Sequence, residues 1–325
     1  MTKLAPGAVI DDDLTVNRHV ASGGMGDVYE CFDSGLGRRV AVKVLRSSTD
    51  DDATAPTLRA LREGRATARV VHPGVVAIHR VGRVAGAPML IMEWVDGPTL
   101  REALSSRPLP ALAIHWLLEV VDAVAAAHDA GVLHCDLKPE NILLAAGDGE
   151  RRRAKVVDFG LARGATLPQR SETVRNGTRA YLPADALTAP ANATLDVFAL
   201  GVIACELLCG QRPGRSGGVV SVPRRLSLRL REVVARALDA DANVRHRDAR
   251  ALQAALIAAA RGDGLVEITL RGDAASQALL AATLRAATLR AVPTAGIGAQ
   301  ANVLADRAAL RGRVQAAFAL VADVD

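Results

Sequence analysis

The 325-residue sequence has no apolar run approaching the ~18 residues needed to cross a bilayer; its candidate, Ala251 to Ala260, is stopped by Arg250 and Arg261. Its N-terminus, with Asp11, Asp12 and Asp13 soon after Met1, lacks the basic-then-apolar order of a secretory leader. Only four cysteines occur, Cys31, Cys135, Cys205 and Cys209, and their spacing suits neither a zinc site nor a disulfide framework. Cys205 and Cys209, four apart on an apolar helix, read as small core hydrophobes. The basic residues are not gathered into one block either. Forty Lys+Arg against thirty-five Asp+Glu leave +5, spread along the chain, a weak basis for binding nucleic acid. These absences lead us to expect a cytoplasmic chain with reduced thiols, no membrane span and no nucleic-acid partner.

What is present suits a folded protein. Half the residues are hydrophobic and 23% charged, which excludes disordered and collagen-like classes, and at ~150 residues per domain about two compact units are expected. Residues 14 to 45 alternate apolar runs with glycines, and Arg39-Val-Ala-Val-Lys-Val-Leu45 reads as a buried strand. Residues 57 to 70 read as helix, His79 to Val84 and Met89 to Val95 as strands, and Leu109 to Ala130 as a long helix closed by Gly131. Helices then dominate to residue 258. The fold class is therefore α+β in two lobes, β-rich over 14–95 and helical over 98–258, joined near Asp96-Gly97-Pro98. Residues 1–13 form an N-terminal segment. Residues 262–325 form a small α/β or helical tail, with Val266, Ile268 and Leu270 alternating before apolar patterns at 274–291 and 303–321. Since 64 residues make only a marginal core, this tail is expected to need a surface from the preceding lobes, a homodimer or another partner.

Two motifs carry chemistry. The first is Ser22-Gly-Gly-Met-Gly-Asp-Val-Tyr29 between two predicted strands, where glycines let backbone N–H groups approach phosphate oxygens. A glycine-rich hairpin alone is commonly structural. In the strand that follows, however, Lys43 stands among apolar residues, and a buried lysine needs an anionic partner; Glu63 on the next predicted helix is positioned to be one. The second is His134-Cys-Asp-Leu-Lys-Pro-Glu-Asn141, followed by Ile142-Leu-Leu144 and Val156-Val-Asp-Phe-Gly160. Here Asp136 can accept a hydroxyl proton, Lys138 can offset phosphate charge, and Asn141 with Asp158 offers two hard oxygen ligands for Mg²⁺. Any one of these is ordinarily a loop residue capping backbone amides; the ordered set is far more specific. His79, His115 and His128 have no ligand spacing and read as incidental, and Arg151-Arg-Arg153 reads as a solvated turn of a hairpin.

With these motifs the sequence resembles the eukaryotic-like Ser/Thr protein kinases of bacteria over residues 14 to 258, about three quarters of the chain. The resemblance implies a two-lobed kinase domain over 14–261 that transfers the γ-phosphoryl of ATP to Ser/Thr hydroxyls of protein substrates, with Mg²⁺ or Mn²⁺. It places Ala21, Ser22, Gly23, Gly24, Met25 and Gly26 in the loop over ATP, Lys43 and Glu63 in an ion pair at the phosphates, Asp136 as base assisted by Lys138, and Asn141 and Asp158 on the metals. Met92, Glu93 and Val95 would form the gatekeeper and hinge, with backbone groups of Glu93 and Val95 on adenine and Val28, Ala41 and Leu143 as apolar walls. A nucleotide-binding scaffold without transfer is the competing class, yet Lys43, Asp136, Asn141 and Asp158 are all present.

The departures from the family pattern are specific. Ala21 stands for the first loop glycine, which a negative φ would tolerate. Gly64 follows Glu63 inside its helix at a cost of about 1 kcal/mol against Ala, and Thr67 is polar where an apolar residue is usual. Pro183-Ala-Asp185 ends the activation segment with an acid one methylene short for its expected partner Arg245. The stretch Pro213 to Leu226 is short and glycine-rich where relatives carry a docking helix. Cys135 replaces an arginine that would grip an activation-loop phosphate, although Thr166, Ser171 and Thr173 remain possible acceptors.

Overall fold

In the computed structural model, the described residues are 3–11, 13–23, 26–46, 64–108, 110–146, 152–159, 178–187, 190–216 and 219–262. They belong to one compact unit, Met1–Glu267. The tail from residue 263, residues 57–63 of the helix expected over 57–70 with Glu63 among them, and the loop residues Gly24 and Met25 lie outside the described residues, as do Thr166, Ser171 and Thr173.

The first lobe is a six-stranded antiparallel sheet of β1 (Val9–Asp11), β2 (Leu14–Gly23), β3 (Gly26–Asp33), β4 (Arg38–Leu45), β5 (Ile78–Val84) and β6 (Ala87–Glu93), ordered β1-β2-β3-β4-β6-β5. The period of two sorts its faces. Val40, Val42 and Val44 pack with Leu14, Val16, Tyr29, Cys31, Met89 and Ile91 in one cluster. Ala41 packs with Val76, Leu90 and Met92 in a separate cluster, and Lys43, sharing its face, is opposite Val28 on one side and Leu90 on the other. The predicted strand at 89–95 ends at Glu93, where the chain leaves for the second lobe.

That lobe is helical: α1 (Leu100–Leu104), α2 (Pro110–Asp129), α3 (Ala193–Cys209), α4 (Leu228–Ala237) and α5 (Ala249–Gly262). Thr99 and Glu102 close a capping box on α1, Asn192 caps α3 through the Thr194 amide, and Gly210 ends it at φ 70°. Leu117, Val120, Val124, Leu200, Ile203, Cys205 and Leu256 are buried together in the core. Among the described residues one helical span, Ala111–Asp129, is long and apolar enough to cross a membrane; here it is the central helix of this core. Burial pushes the Cys205 thiol up to about 12, as suits a packing residue.

Two small hairpins interrupt the helices, β7 (Ile142–Ala146) with β8 (Arg152–Val156), and β9 (Gly214–Ser216) with β10 (Val219–Ser221). The second was not expected from the sequence; its strand β10 carries the β-branched pair Val219-Val220. Arg152 and Arg153 are strand residues, not turn residues; Arg152 donates to the Leu144 carbonyl at 3.1 Å and Arg153 faces Glu119.

Candidate active site

Lys43 is 4% exposed, and its ammonium stands 2.8 Å from Asp158 Oδ2. The anionic partner that burial demands is thus, among the described residues, the aspartate of the second motif. Asp158 has φ 64°, a left-handed backbone that a non-glycine residue adopts only when its surroundings compel it. Burial pushes its carboxyl up, but Lys43 by charge and hydrogen bond, then His134 and Lys138, outweigh that and hold it below the usual carboxylate range.

The loop from His134 to Asn141 is fixed from below. Asp196, fully buried in the first turn of α3, accepts from the amides of His134 at 2.8 Å and Cys135 at 2.7 Å and from His128 Nε2 at 2.9 Å. Burial opposes its charge, yet the His128 bond and the nearby imidazoles keep its carboxyl below the normal range. His128 also accepts the Ala249 amide at Nδ1, tying α2, α3 and α5 together, so it is a structural anchor and not incidental. Cys135 is held at φ 61°. His134 bridges to the other strand of the site, its Nε2 2.9 Å from the Val157 carbonyl, its ring against Phe159, while burial lowers its pKa.

These constraints bring the polar groups together. Lys138 Nζ donates to Asp136 Oδ2 at 2.9 Å, and Asn141 Nδ2 donates to the Asp136 carbonyl at 2.8 Å. With Nδ2 so committed, the Asn141 amide oxygen is the atom left for a hard cation. Pro139 starts the short 3₁₀ turn Pro139–Asn141 that places it. The Val157 amide donates to the Asn141 carbonyl at 3.0 Å, holding the two acidic motifs side by side.

Above them, β2 and β3 pair through Gly23 and Gly26. A Cβ at Gly26 (φ 154°) would lie 2.1 Å from the Val44 carbonyl, so only glycine fits there. Ala21 pairs with Val28 in β2 without a positive φ, which is why its methyl is accommodated. Ser22 donates to Asp27 Oδ1 at 2.5 Å, with His19 Nε2 3.3 Å from the same oxygen; the Ser22 bond first, then burial against it and His19, leaves the Asp27 carboxyl below its ordinary value. This clasp was not anticipated, though its residues are local enough to have been read from sequence. At the junction, Ala41, Met92, Val95 and Val157 share a cluster, and Val28 and Leu143 are half-buried. The Glu93 amide donates to the Ala77 carbonyl at 2.9 Å, and its side chain pairs with Lys155.

Gly64 has a packing reason: a Cβ there would lie 2.7 Å from Leu90 Cδ2. Thr67 is buried. Beyond the motifs, Glu206 in α3 accepts from Arg101 at 3.0 Å, Tyr181 at 2.5 Å and Arg212 at 2.9 Å, and Arg101 also reaches Glu140 at 2.8 Å. Burial and then Glu206 push the Tyr181 phenol up, locking the end of the activation segment to α3. Asp185 reaches Arg245 at 2.9 Å despite its short arm. Single charged residues in apolar helices were the sequence signal for Asp196, His128 and Glu206.

A curled sheet seated on a helical lobe, with a buried lysine, two aspartates and an asparagine gathered at their seam, is the architecture of a nucleotide-using phosphotransferase. Residues 14–248 match the protein kinase domain, and the chain belongs to that family. It is 39% identical over 219 residues to the serine/threonine-protein kinase PknL of Mycobacterium tuberculosis, covering 66% of this chain and 54% of that protein. It is 33% identical over 228 residues to the probable serine/threonine-protein kinase pknA2 of Bifidobacterium longum, covering 68% and 30%. The chain therefore spans about a third to a half of these relatives. Among solved structures it is similar to the kinase domain of Mycobacterium tuberculosis PknI, with a TM-score of 0.62, 28% identity, and coverage of 79% of this chain and all of that one.

Proposed function

We propose that the chain transfers the γ-phosphoryl of ATP, with Mg²⁺, to serine or threonine hydroxyls of proteins in bacterial signalling. The observation that carries this reading is the joined pair of acidic motifs: Asp136 with Lys138 and Asn141 on one side, and Asp158 held ionised by Lys43 on the other. The donor set fits the metal, because Asn141 and Asp158 are hard oxygen ligands, few in number, and Mg²⁺ in such sites takes its other ligands from phosphates and water. Mg-ATP supplies the transferable group and the charge neutralisation of its oxygens. Asp136 keeps one oxygen on Lys138 and offers the other to the substrate hydroxyl, whose proton it accepts. Lys138 places positive charge where the transferring oxygens gather. Lys43, buried and paired, orients the α and β phosphates, and Gly23 and Gly26 allow close backbone approach above them. Lys138, two residues past the base, favours aliphatic hydroxyls over tyrosine.

The test is radiolabel transfer from ATP to a Ser/Thr peptide, beside the thermal shift produced by Mg-ATP. Asp136→Asn is expected to remove most turnover, on the order of 10²–10⁴-fold, while the nucleotide shift stays near that of the native chain. Equal turnover of the two proteins would overturn the base assignment; a nucleotide shift without any transfer would leave a binding scaffold.

A further inference from the structure

Residues 211–236 contain seven arginines, no lysine and one acid, Glu232, a local charge of +6 in a chain whose total is +5. Elsewhere, arginines of comparable exposure stand against carboxylates: Arg18 on Glu30, Arg80 on Asp11, Arg250 on Asp129. Arg224, Arg225 and Arg229 are exposed and have no ion pair among the described residues. Leu230, Val234 and Ala237 turn the other face of α4 into the core, so Arg229, Glu232 and Arg236 share its outer face. Leu228, 62% exposed, stands beside them as an apolar foothold.

The run also begins at the substrate end of the site. Arg212 stacks over the Tyr181 ring at 5.2 Å, and Tyr181 lines one small cavity with Asp136, Leu137 and Leu182. Through Arg212 the run thus starts at the wall of the cavity that Asp136 lines.

We propose that this arginine surface docks an acidic segment of the protein substrate, distal to the phosphorylated residue. The proposal rests on the kinase reading above and names the substrate class for it. Guanidinium groups without counter-charges match clustered carboxylates, and such exposed complementarity acts on selection and encounter more than on the chemical step. The start of the run at Arg212, stacked on Tyr181 in the wall of the Asp136 cavity, favours a protein over a nucleic acid or an anionic membrane, which the same charge would also attract.

The test uses the full chain and two fluorescent peptides with one common serine site, one carrying a distal run of glutamates. The native protein is expected to show a lower KM for the acidic peptide, an advantage that shrinks as salt is raised. Arg224→Glu with Arg225→Glu is expected to raise that KM, and the Kd measured by anisotropy without nucleotide, by about tenfold. Turnover of the neutral peptide and the KM for ATP are expected to hold. Arg224→Lys with Arg225→Lys is expected to retain most of the preference. Equal KM values for the two peptides, or an acidic-peptide KM indifferent to charge reversal, would overturn the proposal. So would loss of RNA or anionic-vesicle binding in the reversed protein with peptide KM unchanged. If neither peptide is phosphorylated, the kinase reading fails, and the anisotropy arm still decides the docking surface.

Discussion

Lengthening Asp185 by one methylene is expected to stabilise the protein. Arg245 has its side chain fully buried, with Nε on the Asp239 carbonyl at 2.7 Å and Nη2 shared between Asp185 Oδ1 and the Ala240 carbonyl, each at 2.9 Å. Its Nη1 is buried and has no hydrogen-bond partner among the described residues. The aspartate meets one tip of the guanidinium and leaves the other without an acceptor, whereas a glutamate carboxylate can span both. A buried donor without a partner costs about 1–3 kcal/mol. Some of that is lost to the rotamer entropy of the longer side chain, so a net gain of about 1 kcal/mol is expected for Asp185→Glu. In a domain of this size that is a rise of about 2–4 °C in Tm, read by scanning calorimetry of the full chain. The opposite perturbation is larger: Asp185→Ala leaves the buried guanidinium with no carboxylate and is expected to cost about 3–5 kcal/mol. If Asp185→Glu melts at or below the native temperature while Asp185→Ala melts unchanged, the pair contributes no net stability and the orphaned Nη1 is not the reason.

The sequence was legible where chemistry imposes order along the chain and silent where it depends on contacts across it. Strand β4 followed from alternating valines, and the lysine inside it demanded an anion. Asp136, Asn141 and Asp158 were readable because their spacing is dictated by one short turn and one hairpin. The contact of Lys43 with Asp158 was not readable, because it joins the two motifs across the fold; Glu63, the anion expected from the sequence, lies outside the described residues. The network of Arg101, Glu140, Tyr181 and Glu206 joins residues up to 105 positions apart, and no local pattern chooses among the partners. His128 was misjudged for a related reason. Spacing tests for metal ligands ask what stands near in sequence, whereas its partners are Asp196 and Ala249. The glycine at 64 looked like a defect by helix propensity, yet an added methyl there would meet the buried Leu90 side chain at 2.7 Å, so packing distance opposes propensity in a close-packed core.

That last point gives a prediction: Gly64→Ala is expected to lower Tm despite the better helix former, since overpacking costs about 1–3 kcal/mol, and Leu90→Val in the same chain is expected to restore it. Additive losses in the double variant would refute the contact. For pH, burial holds His134 and His246 below 6.5 in the fold, so the unfolded chain takes up more protons and stability falls as pH drops below 6.5. Asp196 shifts the same way, its contribution present above 3.8 and lost as pH falls through its lowered value. Melting curves between about pH 7.5 and 5 are expected to show the histidine part, flattened in His246→Gln; a pH-independent melt would refute it. The final prediction turns on Cys135. Its amide is tied to Asp196 and its backbone is left-handed, so the loop bearing Asp136 is set from within the helical lobe. A thiol, unlike a guanidinium, cannot give the bidentate charged bonds by which a loop phosphate would also hold it. Thr173→Ala is therefore expected to change kcat only a few-fold from that of the phosphorylated native protein, measured on a peptide substrate, whereas Cys135→Arg makes turnover depend on loop phosphorylation. A native loss of about a hundredfold, near 2.7 kcal/mol of barrier, on removing Thr166, Ser171 and Thr173 would mean that another basic residue holds the phosphate, and that Asp196 alone does not set the base.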